Sequence, residues 1–263
     1  MRIVIKVGTS TLAYKTCHLN IRKVEELCKV ISDIKNAGNE VILVSSGAIA
    51  MGVGKLMLPT RPSDIPTKQA CAAVGQCELM YKYDELFTKH NHTVGQILLT
   101  GDDFEHSDRL MNFSNTMRRL LELNVIPIIN ENDTIATDEI VIGDNDTLAA
   151  IVTKTVNADL LVLLSDIDGL YTSDPHKNPD AKLISKVENL TDEIMTLGGV
   201  SASNLGTGGM ATKLKAAKIC TSNGADMIIA NGENPNILYD IIDGKEIGTR
   251  FIKNDNNWNF TKC

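Results

Sequence analysis

Val41-Ile42-Leu43-Val44-Ser45-Ser46-Gly47-Ala48-Ile49-Ala50-Met51 sets the fold class. Four consecutive apolar residues, three of them β-branched, read as a strand buried on both faces. That is the mark of a parallel sheet covered by helices. The strand stops at Ser45-Ser46-Gly47, and a helix begins at Ile49. Two readings of the turn stand: a serine N-cap, or a helix N-terminus whose free N–H groups take an anion.

The same pattern recurs outward along the chain. Ile3-Val4-Ile5-Lys6-Val7 feeds Gly8-Thr9-Ser10-Thr11, and Leu160-Leu161-Val162-Leu163-Leu164 feeds Ser165-Asp166. Lys6 is unusual in such a strand. It reads either as an edge or strand-end lysine, or as one whose head reaches a cleft at the C-terminal ends of parallel strands. Asn20 can cap a helix with Ile21, Val24, Leu27, Cys28, Ile31 and Ile34 on one face. Further strands are predicted at 93–99, 125–129, 226–230 and 247–253. Helices are predicted at 67–90, 109–123, 148–156 and 189–197, and from Met210 onward. Residues 52–66, rich in Gly and Pro, read as a surface loop. The alternation predicts one α/β domain over 1–253 with a mainly parallel sheet, followed by a polar tail at 254–263.

Composition excludes several classes. Acidic residues number 33 against 26 basic, a net charge of -7, and no long basic run occurs. Nucleic acid and anionic membranes are therefore not expected partners. No apolar run approaches the roughly 20 residues of a membrane span. The six cysteines are scattered and read as reduced thiols of a cytoplasmic protein, with Cys71 and Cys77 in the core. His90, His92 and His106 fall at element ends and read as solvated.

Two stretches carry chemistry. Gly206-Thr207-Gly208-Gly209-Met210-Ala211-Thr212-Lys213 opens a helix with its N–H groups exposed, the arrangement that favours phosphate. Lys213 stands in the first turn, against the helix dipole, and a residue placed against local preference hints at function. A Walker A loop is excluded by spacing. The G-x-G-x-x-A pattern is met, but the expected preceding strand is missing. The second stretch is Asn130-Glu131-Asn132-Asp133-Thr134 with Gly143-Asp144-Asn145-Asp146-Thr147, around a possible hairpin at 135–142. It reads as loop and N-cap, or as recognition of a ligand ammonium group and organisation of nearby lysines. Lysines, glycine turns and acids at one rim point to phosphoryl transfer, which needs cations and N–H donors more than covalent catalysis.

Ile5-Lys6-Val7-Gly8-Thr9-Ser10, Val44-Ser45-Ser46-Gly47-Ala48, Ala72-Ala73-Val74-Gly75-Gln76, Asn130-Glu131-Asn132-Asp133, Gly143-Asp144-Asn145-Asp146, Leu164-Ser165-Asp166 and Gly206 to Lys213 together resemble the amino acid kinase family. Within it they resemble the branch that phosphorylates the γ-carboxylate of L-glutamate in proline biosynthesis. An alternative is a member with another carboxylate or phosphate acceptor.

The resemblance implies a three-layer αβα sandwich, with an acceptor half at 1–157 and a nucleotide half at 158–253. It implies ATP, and Mg²⁺ bound mainly through the nucleotide phosphates. Lys6, Lys213 and Asp146 would be catalytic, and Ser46, Asp133 and Asn145 would bind glutamate. Lys6, Ser165, Asp166, Thr207, Gly208, Gly209, Met210, Ala211, Thr212 and Lys213 would bind ATP. It further implies proline as feedback inhibitor near the 52–66 loop, a glutamyl phosphate reductase as partner, and a homo-oligomer, dimer or tetramer. Many members of this branch carry a C-terminal PUA domain, for which this sequence is too short.

Overall fold

The computed structural model describes residues 1–135, 144–175, 177–198 and 209–254. Strand β1 (Arg2–Val7) passes through the one-turn helix α1 (Thr9–Leu12) into α2 (Ile21–Asn36). The Asn20 side chain caps α2 by accepting the Lys23 N–H. β2 (Glu40–Ser45), α3 (Ala48–Lys55), α4 (Ile65–Thr88) and β3 (Val94–Leu99) follow. Next come α5 (Asp102–Glu105), α6 (Ser107–Glu122), β4 (Ile126–Glu131), α7 (Asn145–Thr155) and β5 (Leu160–Ser165). A small hairpin, β6 (Leu170–Tyr171) and β7 (Leu183–Ile184), precedes β8 (Lys186–Val187) and α8 (Asp192–Thr196). The chain continues as α9 (Met210–Thr221), β9 (Asp226–Asn231), α10 (Ile237–Ile242) and β10 (Thr249–Phe251).

Eight strands form one sheet in the order β3-β4-β2-β1-β5-β9-β10-β8. Neighbours run parallel, except that β10 is antiparallel to β9. The strands are continuously apolar because both faces are covered. Val4, Ile42, Val44, Leu161 and Leu163 pack into one core with α6, α7 and α9. Ile3, Ile5, Val41, Leu43 and Val162 pack into the other with α2 and α4. Side chains alternate along a strand, so each strand feeds both cores. The result is the expected αβα sandwich with a mainly parallel sheet.

β1 lies between β2 and β5, so Lys6 is no edge-strand lysine. It follows Val4 by two residues and points to the same face, the one covered by α7 and α9.

Some local expectations need correction. α3 continues through Gly52 to Lys55, so the glycines at 52 and 54 belong to a helix and the loop shrinks to 56–64. The two helices cross in near-contact: a Cβ on Gly52 would lie 1.9 Å from Cys71 O, and one on Gly75 would lie 1.8 Å from Ala48 O. Only glycine fits there, which hides the helical character from composition. Gly75→Ala is expected to push α3 off α4 and destabilise the protein by about 3 kcal/mol or more. Chemical denaturation measures this, and an unchanged midpoint would show that the helices can separate freely.

Cys77 is exposed and only Cys71 of that pair is in the core, while His92 is buried. Burial lowers the His92 pKa. The last strand is confined to Thr249–Phe251. The hairpin expected at 135–142 falls almost wholly outside the described residues, as do residues 255–263 of the tail.

Candidate active site

Three elements deliver charged groups to one point. Lys6 comes from β1, Asp146 from the first turn of α7, and Lys213 from the first turn of α9. Asp146 Oδ1 meets Lys6 Nζ at 2.7 Å, and Oδ2 meets Lys213 Nζ at 3.1 Å. Asp146 is 0% exposed, Lys6 9% and Lys213 4%. Thr212 Oγ1 lies 3.2 Å from Asp146 Oδ2 and 2.7 Å from Gly209 O, so its single proton is shared between them.

Burial alone would raise the Asp146 pKa, but Lys6 and Lys213 outweigh it and hold the carboxyl below its ordinary value. A lowered folded-state pKa gives stability that is present above the ordinary carboxylate range and is lost as pH falls. The three groups sum to one net positive charge in a place with little water, where an ion acts strongly.

Among the described residues, no side chain caps the N-terminus of α9. Gly209 is its N-cap, makes no side-chain cap, and an added Cβ there would find nothing within 4 Å. A Cβ on Gly8 would stand 3.7 Å from Lys6 Nζ, so the glycine leaves room beside that ammonium. α3 also lacks a side-chain cap: its N-cap is Gly47 at φ 102°, a left-handed conformation that suits glycine. This removes the serine-cap reading. The Ser45 hydroxyl instead contacts Tyr83 OH at 2.8 Å, and Ser46 Oγ accepts from Asn145 Nδ2 at 2.7 Å.

Asn145 and Asp146 are consecutive, yet they serve different clusters. Asn145 Nδ2 also approaches Asn130 Oδ1 at 3.0 Å and Ser45 O at 3.4 Å. The first turn of α7 thus joins the lysine cluster to the ends of β2 and β4. Asp144 caps α7, accepting the Thr147 N–H at 2.8 Å, so the capping reading holds for this residue.

Beside it lie two more acids. Burial raises Asp133 to about 6. Burial first, then the charges of Asp133 and Asp144, raise Glu131 to about 7. Folded carboxyls with raised pKa hold protons that the unfolded chain has released. They therefore cost stability increasingly as pH rises from about 4 towards 6 or 7.

Ser165 and Asp166 lie at the C-terminal end of β5, joined by a 3.1 Å hydrogen bond. With Ser10, Thr11, Lys23, Asn231 and Glu233 they line a cleft of about 130 Å³. Met210 and Ala211 are in the first turn of α9. Thr207 and Gly208 lie outside the described residues. The structure therefore brings Lys6, Asp146, Thr212 and Lys213 together, and Ser46 with Asn145. It places Asp133 beside Glu131, and Ser165 with Asp166 in their own cleft. The sequence reading quoted Gln76 only within a resembling stretch and gave it no role; it is a 7% exposed polar side chain on the buried stripe of α4. A polar residue between Ala72 and Leu79 on an otherwise apolar face was the available signal.

A sequence profile described as the Amino acid kinase family matches residues 1–231. The chain belongs to the amino acid kinase family. It is 56% identical to the glutamate 5-kinase of Clostridium perfringens, over 95% of each chain. It is 52% identical to the glutamate 5-kinase of Listeria monocytogenes, covering 95% of this chain and 92% of that one. With the glutamate 5-kinase of Thermoanaerobacter sp. it shares 50% identity over 96% of this chain but 68% of the relative. Among solved structures, carbamate kinase from Giardia lamblia bound to AMP-PNP superposes with a TM-score of 0.68 at 18% identity. That alignment covers 96% of this chain and 98% of that one. UMP kinase from Ureaplasma parvum gives 0.65 at 19% identity, over 96% of this chain and 98% of that one. At these identities the structures speak for the amino acid kinase fold alone.

Proposed function

We propose that this amino acid kinase transfers the γ-phosphoryl group of ATP to the γ-carboxylate of L-glutamate, giving L-glutamyl 5-phosphate for proline biosynthesis. The observation that carries the reading is Asp146 bridging two buried lysines beside an uncapped helix N-terminus. In the transfer a γ-carboxylate oxygen forms a bond to phosphorus as the bond to the ADP oxygen breaks. A carboxylate with an ordinary pKa of about 4.3 is already ionised at neutral pH, so no general base is needed. Lys6 and Lys213 offset charge on the phosphoryl group in flight, while Asp146 fixes their positions. The N–H groups at the start of α9, with Ser165 and Asp166, hold the nucleotide. Thr207 and Gly208 are assigned with them by motif.

Ser46, Asn145 and Asp133 hold glutamate, with Asp133 facing its ammonium group. The acids and amides around β4 suit an amino acid better than a phosphorylated acceptor, which calls for cationic side chains. The proposed division is an acceptor half over 1–157 and a nucleotide half over 158–253. Proline acting near the 52–66 stretch, a homo-oligomer and a reductase partner belong to the same reading. Among the described residues no group of three His, Cys, Asp or Glu side chains is placed to hold a metal. Both oxygens of Asp146 are also taken by lysines. In this reading Mg²⁺ is held mainly through the nucleotide phosphates.

Incubation with ATP, Mg²⁺, L-glutamate and hydroxylamine tests the reaction. Glutamyl hydroxamate that requires both ATP and glutamate is the expected result. ADP release with a nucleoside monophosphate and none with glutamate would overturn the acceptor assignment.

A pH prediction follows from Asp133. Only its carboxylate pairs with an ammonium, and burial raises it to about 6. The KM for glutamate is expected to rise as pH falls through 6, with ATP KM little changed. Asp133→Asn should raise glutamate KM throughout and abolish that pH dependence. A variant retaining the wild-type profile would remove Asp133 from the acceptor pocket.

A further inference from the structure

We infer that Gln76 is a positioning residue that fixes which way the Asn145 amide faces, and so sets the affinity for the acceptor. The inference deepens the proposed function and rests on it.

A backbone N–H has fixed polarity and only donates. The Glu131 N–H donates to Asn130 Oδ1 at 2.9 Å. That assigns the oxygen of Asn130 and turns its Nδ2 towards Gln76, whose Oε1 accepts at 2.9 Å. Asn130 Oδ1 then takes a second hydrogen bond from Asn145 Nδ2 at 3.0 Å. Asn145 Nδ2 also lies 3.4 Å from Ser45 O, a longer contact that agrees with this orientation but is weaker than the one to Asn130. Both amides therefore have one orientation each. Asn145 Oδ1 is left buried, without a hydrogen-bond partner among the described residues. An acceptor in that condition calls for a donor from elsewhere. It lies on the residue that also touches Ser46, in the turn next to Asp146, where the proposed acceptor carries an ammonium group.

Gln76 touches none of the reacting groups in this scheme. Its part is to accept the hydrogen bond that Asn130 Nδ2 donates. Asn130 is 2% exposed, so without Gln76 its amide loses its partner away from water. Rotation of Asn130 to find another partner would release Asn145 and blur the direction of its Oδ1.

The test compares Gln76→Met, which keeps length but removes the acceptor, with Gln76→Glu, which retains a carboxyl oxygen to accept from Asn130. Steady-state kinetics and substrate-free melting are measured for both and for wild type. Gln76→Met is expected to raise glutamate KM about tenfold, the scale of one buried hydrogen bond, with kcat and ATP KM within about twofold. Gln76→Glu is expected to recover most of that loss. If Gln76→Met melts far below wild type, Gln76→Glu carries the decision: a glutamate KM as poor as that of Gln76→Met overturns the inference. So does a wild-type glutamate KM in Gln76→Met, or equal loss for ATP and glutamate in both variants. Absence of glutamyl hydroxamate from the wild-type protein itself overturns the proposed function, and this inference with it.

Discussion

Lys213→Ala is expected to lower kcat by about 10² to 10³, the loss typical of removing one donor aimed at developing charge. The lysine stands in the first turn of α9, where the helix dipole opposes a cation. It is buried there and tied to Asp146. A side chain kept in so unfavourable a place, beside the first N–H groups of α9 and a glycine N-cap, is placed to meet a phosphate. Its ammonium is already oriented before ligand arrives, so little reorganisation is required as charge builds on the transferring group. The effect should therefore fall on kcat more than on ATP KM. A change confined to KM would mean that Lys213 holds only ground-state nucleotide. Lys6→Ala is expected to act on the same scale. The double variant should lose less than the product of the two effects, because both lysines share Asp146 and act as a unit.

Asp146→Ala should produce the largest combined loss, in stability as well as rate. Removing the carboxylate takes away the counter-charge that two buried ammonium groups share. Breaking a buried pair in this way costs about 3–5 kcal/mol, or roughly 10 °C in melting temperature for a chain of this size. Activity should fall at least as far as for either lysine variant, since neither ammonium keeps its position. ATP binding should restore part of the lost melting temperature, because its phosphates supply the missing negative charge. Thermal melting with and without ATP checks this. A variant that melts like wild type, or one on which ATP has no larger stabilising effect than on wild type, would show that Asp146 does not hold the lysines together.

Much of this site is legible in the chain because local physics writes it there. Lys6 interrupts an apolar strand, Lys213 sits against a helix dipole, and Asp144 is a cap before a helical run. Each departs from or satisfies a rule that acts over a few residues. The α3–α4 crossing was not legible. Gly52 reads as part of a flexible loop and Gly75 as an ordinary position of the 67–90 helix, whereas the fold uses both where only glycine lets backbone meet backbone. Gln76 was hidden for a related reason. Its partner Asn130 is 54 positions away, and nothing within α4 says which way a buried amide turns.

The sequence by itself determined the α/β class, the parallel strands with covered faces, the glycine-opened helices and the residue types that suit phosphoryl transfer. These follow from periodicity, propensity and chemistry read along the chain. Only the tertiary structure decided that one carboxylate bridges both lysines, that Asn145 and Asp146 divide between two clusters, and that Asp133 and Glu131 hold their protons to higher pH. Those properties depend on distance and on water excluded by neighbours from other elements, and neither quantity is defined until the sheet brings its strand ends to one rim.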